Sequence, residues 1–477
     1  MQSATGLLSI DPDGVVTPLA SFDGDRPAAL DGLLAQEVDH RRNGHPSPRV
    51  VELMDRFGFE FEPWAEPGHV RMQPWASRMH ACAEQHARRH VEDIARVRGL
   101  PFDEVSGVLV VDTRAAALAD YLDLIHDDGS LYGAEPYALG GTRAGVLLRQ
   151  TACLQKFAIA AEWDMGSTPL PRCLFEVSDS FRGETDEDVE QLFRVRRFRL
   201  PEAHLHDRSF EAALDGAREL HRRLSLAMAD LDADHVILVS ASHRTWQANA
   251  GTIAAMVAET ARWALVLVSP PGALCQDGIE LDFEYKFIDV NGFPRELATF
   301  QLDTRITRAI GLSVPGGELT TTHVVPTGSV ERLIHAHLDR VARLELAGRR
   351  VTLPYWLAPV TVRLLENPDA GWRAGGEVAA RAVEHGLRVE VDDRPIDRAE
   401  KIAAADECLV PFTLTPGGDT DRVRVREYES RAEEDRDAAT WLATVACSPS
   451  MPSSVGSVPR LSQRPTRAVA STVGAPR

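Results

Sequence analysis

Long apolar runs, an excess of basic charge and clustered cysteines are all missing from this sequence. No stretch approaches 18 uncharged apolar residues, so nothing reads as a membrane span. The first residues, MQSATGLLSIDPDG, carry neither a basic region nor an apolar core of the secretory kind. Lys plus Arg number 52 against 71 for Asp plus Glu, a net charge of −19. That sum argues against a generally nucleic-acid-coating surface, while leaving room for local arginine patches. Six cysteines (Cys82, Cys153, Cys173, Cys275, Cys408, Cys447) are scattered without repeated close spacing. A disulfide framework is therefore not expected, and the reading is a cytoplasmic protein with no membrane partner. No internal repeat is present.

What the chain has is length and alternation. At 477 residues it is expected to form more than one domain. A lead-in is expected over 1–30, a large domain over 31–350, a smaller α/β domain over 351–445, and a disordered tail over 446–477, which is rich in Pro, Ser, Gly and Arg. Strand-like runs at 172–181 and 192–204 flank an acidic loop and read as an antiparallel hairpin. The run 278–303 alternates and turns at Asn291-Gly292, the strongest local hairpin signal. Several antiparallel strands in one sheet indicate an α+β fold rather than a doubly wound parallel one. VSGVLVVD at 105–112 reads as a buried strand by its β-branched content, followed by a helix over 114–125. PTGSVER at 326–332 enters a helix and places backbone N–H groups beside a guanidinium, which suits a phosphate.

Two constellations could carry chemistry. Arg182, Glu184, Arg194 and Arg332 offer forked donors and a carboxylate suited to a nucleoside triphosphate, and Phe198 could stack on a base. The same residues could equally make ordinary salt bridges between strands. Cys153, His204 and His323 are a thiolate and two imidazoles that would leave one position of a tetrahedral zinc open. On spacing alone they fit buried core residues better.

At these residues the chain resembles threonyl-tRNA synthetase, a class II aminoacyl-tRNA synthetase, in its archaeal style. Phe181-Arg182-Gly183-Glu184 with LFRVRRF and PEAH is similar to the family's second motif, and PTGSVER to its third. FEYKFIDVNGFPRELATFQLD at 283–303 resembles the intervening sheet, and EVDHRRNG at 37–44 the lead into the catalytic domain. LPYWLAPVTVRLL at 353–365 with LRVEVDDR at 387–394 resembles the junction with an anticodon-binding domain.

The resemblance implies a class II antiparallel sheet with flanking helices, followed by an anticodon-binding-like domain. It implies zinc on Cys153, His204 and His323, contacting the amine and hydroxyl of threonine. Arg182 would hold the α-phosphate and activated carboxylate, Glu184 and Phe198 the adenine, Arg194 and Arg332 the bent phosphates of ATP, and Glu202 and Gln301 the amino acid. Mg²⁺, tRNA(Thr) and a homodimer are implied as well. The expected reaction is activation of threonine to the adenylate and transfer to tRNA. A paralogue delivering the amino acid to a carrier protein or small molecule is the alternative, and a non-catalytic tRNA-binding relative a third.

Four departures stand out. Val108 replaces a proline of the first motif, and Glu202 replaces an aspartate. TDEDVEQ at 185–191 is acidic where an acceptor end would pass, and 395–407 keeps only Lys401-Ile402 of a basic pattern. No editing domain is expected before residue 31.

Overall fold

The computed structural model describes residues 6–21, 26–39, 47–112, 145–273, 275, 279–315, 317–366, 372–394, 396–417 and 421–446. The expected helix at 114–125, the tail and most of the 37–44 motif lie outside the described residues.

A ten-stranded sheet organises the larger part of the chain. Its strands are β1 (Gly6–Ile10), β2 (Val16–Pro18), β3 (Phe102–Glu104), β4 (Arg172–Phe181), β5 (Arg197–Asp207), β6 (His235–Ala241), β7 (Ala264–Val268), β8 (Leu281–Ile288), β9 (Pro294–Asp303) and β10 (Thr320–Val325). Their spatial order is β2-β1-β7-β6-β8-β9-β10-β5-β4-β3. Only β6 with β7 and β3 with β4 pair in parallel; the rest are antiparallel.

Alternation along these strands sorts side chains to two faces. Phe175, Ala203, Leu205, Val324, Phe300, Phe283 and Ile237 share the packed face and are fully buried or nearly so. They lie under helices α1 (Pro74–Val97), α3 (Phe210–Ala229) and α4 (His243–Glu259), while α2 (Cys153–Ala161) packs near the other face. Phe283 stacks on Phe300 at 4.8 Å and 13°, and the buried Tyr285 hydroxyl lies 2.8 Å from His221 Nδ1, so that buried phenol keeps a polar partner. Helix α5 (Val330–Leu346) is capped by the Ser329 hydroxyl, which accepts from Arg332 N at 3.1 Å.

The β8–β9 hairpin turns as Asn291-Gly292 requires. Gly292 has φ +84°, and the Asp289 carboxylate accepts from the N–H groups of Asn291 and Phe293, both at 2.9 Å.

Two expectations change. The stretch read as a lead-in supplies β1 and β2, because Gly6–Ile10 pairs with β7, some 260 positions away in sequence. The buried strand expected at 105–112 is reduced to Val110–Asp112, paired with Val146–Leu148. Val108, Leu109 and Val110 are 65, 41 and 45% exposed. β-branched residues favour strands whether or not anything covers them.

A second sheet follows residue 361: β11 (Val362–Leu365), β12 (Val389–Asp392), β13 (Phe412–Pro416), β14 (Arg422–Glu427) and β15 (Glu433–Asp437), ordered β12-β11-β13-β14-β15. Val362, Leu364, Phe412, Leu414 and Leu442 form its own core. All five residues of the outer strand β15 are exposed.

Candidate active site

The face of the large sheet opposite the helices floors a cavity of about 440 Å³. Register explains its lining. His204 pairs with His323, His323 with Gln301, Gln301 with Asp282, and Asp282 with Ser240, so one lateral row crosses β5, β10, β9, β8 and β6. Two residues along each strand the same face recurs, adding Glu202, Leu200 and Phe198 from β5 and Thr299 from β9. Nine of the ten residues singled out from sequence line this cavity: Cys153, Arg182, Glu184, Arg194, Phe198, Glu202, Gln301, His323 and Arg332. The tenth, His204, is fully buried against Glu202.

At one end lie the arginines. The Arg182 guanidinium sits 4.9 Å over the Phe198 ring, and Arg194 Nε donates to Glu184 Oε2 at 2.7 Å. Arg332 stacks over Phe193 at 4.8 Å, donates from Nε to the Phe193 carbonyl at 3.0 Å and pairs with Glu296 at 3.1 Å. Gly328, at φ +67°, runs so close to β9 that a Cβ would stand 2.8 Å from the Leu297 carbonyl oxygen. Any side chain there would push the start of α5, and Arg332 with it, off the cavity.

At the other end four potential ligand atoms, from Cys153, Glu202, His204 and His323, lie within 4.8 Å of one another, all in buried residues. Cys153 Sγ is 2.9 Å from Glu202 Oε1 and 3.5 Å from His323 Nδ1, and His204 Nε2 is 3.0 Å from the same Glu202 oxygen. Burial, together with Glu202, pushes the Cys153 thiol up. Burial, with Lys156 and His323 adding, holds His204 well below its ordinary value and hence neutral. Burial opposes ionisation of Glu202, but Lys156 and the histidine hydrogen bonds hold it well below the usual carboxylate range. Burial pulls His323 down, but Cys153, Asp303 and Glu202 hold it well above its ordinary value, so it, like the thiol, has a proton to give up to a metal. A thiol, two imidazoles and a carboxylate are a donor set that fits a divalent ion.

Several residues of the site escaped the sequence reading. Asp303 Oδ2 faces His323 Nε2 at 3.8 Å, while its Oδ1 caps the next helical turn, accepting from Ile306 N at 2.9 Å. Lys156, fully buried, brings Nζ to 3.2 Å from Glu202 Oε1. Asp282 accepts from Gln301 Nε2 and the Thr299 hydroxyl, both at 3.0 Å; burial and Glu284 push it well above its ordinary value. Burial, with Glu296 and Glu37 adding and Lys286 opposing, pushes Glu284 up to about 7. Alternation in 278–303 puts Asp282 and Glu284 on the same side of β8, but only the register brings that side to the cavity.

The acidic loop is less bare than its sequence suggests. Asp186 pairs with Arg196 at 2.7 Å, Asp188 accepts from the Thr185 hydroxyl at 2.6 Å, and Glu190 pairs with Arg295. Lys401, the retained basic residue of the smaller sheet's region, is buried and donates to the carbonyls of Glu366 and Asp392 at 2.8 and 3.0 Å.

An antiparallel sheet floored by an Arg–Glu hairpin on one side and a glycine-to-arginine helix entry on the other defines the class II aminoacyl-tRNA synthetase fold. In structure the chain overlays the RNA binding domain of threonyl-tRNA synthetase from Cryptosporidium parvum with TM-score 0.68 at 17% identity, over 85% of this chain and 99% of that one. No protein-family model matches. In sequence it is 28% identical over 438 residues to the threonine–tRNA ligase of Pyrobaculum calidifontis, spanning 89% of this chain and 68% of that protein. With the enzyme of that name from Pyrobaculum neutrophilum it shares 30% over 414 residues, spanning 86% and 66%. Within its class, then, the chain is a homologue of the archaeal threonine–tRNA ligases.

Proposed function

We propose that this protein activates threonine with ATP and transfers it to tRNA(Thr). The observation that carries this reading is the junction, in one cavity, of a Cys-His-His-carboxylate set with an arginine-lined pocket closed by the helix entry at Gly328.

Threonine lies with its amine and side chain toward Cys153, His204 and His323 and its carboxylate toward Arg182. Cys153, His204 and His323 would hold zinc, which would supply Lewis acidity to the amine and hydroxyl, as Mg²⁺ would to the phosphates. Attack of the carboxylate on the α-phosphate expels pyrophosphate. The forked donors of Arg182 and Arg332 stabilise the charge that develops there. Adenine takes the Phe198 face now covered by Arg182, exchanging one π-partner for another, with Glu184 accepting from its amine. A hydroxyl-ligating site rejects valine because the isostere leaves polar groups unpaired. Gln301 and Asp282 extend the polar wall on that side. Exposed Val108, Leu109 and Val110 are the apolar surface we assign to a two-fold partner.

One observation favours delivery to a carrier protein or small molecule instead: Lys401 is spent on backbone carbonyls, and β15 presents Glu433, Glu434, Asp435 and Asp437 to solvent. Transfer of labelled threonine to unfractionated tRNA, run beside threonine-dependent pyrophosphate exchange, separates the two. Saturable charging supports the ligase; exchange without charging moves the acceptor elsewhere; absence of both overturns the catalytic reading.

A further inference from the structure

Glu202 is one methylene longer than the residue the resemblance leads one to expect, and that methylene decides where its oxygen lies. Oε1 stands 2.9 Å from Cys153 Sγ, 3.0 Å from His204 Nε2 and 3.8 Å from His323 Nδ1. Donors around a tetrahedral zinc are separated by about 3.3–3.6 Å, given metal–ligand lengths of about 2.0–2.3 Å. Each of these separations is within about half an ångström of that range, so Oε1 sits at the fourth corner rather than behind a ligand. An aspartate would withdraw the oxygen by roughly one C–C bond, about 1.5 Å. The other oxygen, Oε2, is held by the Thr151 hydroxyl at 3.4 Å, which aims Oε1 inward.

We propose that Glu202 is the fourth ligand of a closed resting metal site, and that Lys156 is the cation that receives its carboxylate when substrate opens that position. Lys156 Nζ already lies 3.2 Å from the same oxygen and 3.4 Å from the Glu202 carbonyl. A small shift passes the charge from metal to ammonium without stranding it in a buried site. An amino acid whose amine and hydroxyl must displace a carboxylate is selected by two contacts made together, so ligands offering one alone leave the site shut. This rests on the metal reading above.

The test uses cobalt(II) as probe and does not depend on activity. Wild-type protein, Glu202→Gln and Glu202→Asp are stripped and reloaded with cobalt(II), and the d–d and thiolate charge-transfer bands are followed as azide is added. The wild-type bands should be those of a four-coordinate site and stay unmoved by excess azide, then shift with threonine. Both variants should respond to azide and hold cobalt about 10–100-fold more weakly by chelator competition. Wild-type bands that shift with azide as the variants' do would overturn the fourth ligand and leave the metal in place. Failure of the wild type to develop a thiolate band would overturn the metal reading itself. The decision rests on the wild-type titration, so a poorly folded variant does not obscure it.

Discussion

Arg295 reaches from the β8–β9 hairpin to the acidic loop, its Nη1 2.6 Å from Glu190 Oε2. Its Nε meets Asp289 Oδ2 at 2.7 Å, and the guanidinium is 1% exposed. One side chain thus ties the turn of one hairpin to the loop of another. Burial pushes Glu190 up, with Arg295 pulling against it.

Arg295→Met should therefore destabilise the fold by about 3–5 kcal/mol, because two partly or fully buried carboxylates lose their counter-charge. Glu190→Gln should cost less, since that carboxylate is the more exposed of the two. Urea denaturation of both variants is the check, and a loss below about 1 kcal/mol for Arg295→Met would make the tie inert.

Cys153→Ala should release bound zinc and abolish threonine-dependent pyrophosphate exchange while leaving far-UV circular dichroism unchanged. Metal analysis after gel filtration reads the first effect. Unaltered zinc stoichiometry together with unaltered exchange would remove Cys153 from the site.

Asp303→Asn keeps the helix-capping oxygen but withdraws the charge facing His323. Metal affinity should fall about 10–100-fold, the usual effect of losing a carboxylate that orients a ligating imidazole. Chelator competition at constant pH measures it, and an affinity equal to wild type would leave Asp303 a helix cap alone.

Stability should fall as pH drops below about 6.5. Burial holds His235, His335 and His337 down at about 3 and His221 at about 4, so they stay neutral in the fold while the unfolded chain takes up protons. At these four sites the unfolded state then binds more protons, and each costs up to about 1.4 kcal/mol per pH unit between 6.5 and its folded value. The raised carboxyls of Glu284 and Asp282, which take up protons in the fold first, partly offset this. Urea midpoints at pH 7.5, 6 and 5 should decline steadily, and His337→Gln should flatten the slope. Midpoints unchanged down to pH 5 would contradict the burial argument.

Lys401→Met should lower the melting temperature and leave tRNA affinity at fixed salt unchanged, because its ammonium serves two carbonyls rather than the solvent. A loss of affinity without a change in melting would place that charge on RNA.

What could be read in advance follows from what is local. The 172–204 hairpin, the Asn291-Gly292 turn and the Gly328 helix entry are written in turn chemistry and period-2 alternation within about thirty residues. Strand β1 is not legible because its partner lies at 264–268, and the edge strand β2 depends on β1; the exposure of Val105–Asp112 is not legible because strand propensity does not report cover. Within the site, Cys153, His204 and His323 could be singled out by type and by resemblance. Lys156, Asp303 and Asp282 could not, since each earns its place through a neighbour on another strand or helix.

The lateral row that unites His204, His323 and Gln301 is fixed by the same register that puts Phe300, Val324 and Ala203 on the opposite face. A slip of one residue would exchange the two sets, exposing hydrocarbon where polar groups belong. The hydrophobic core is therefore the jig on which the proposed ligand set is assembled. On that geometry folding should not depend on metal loading, unlike in small domains that owe their structure to zinc. A chelator should empty this protein and leave it standing, ready to be filled again.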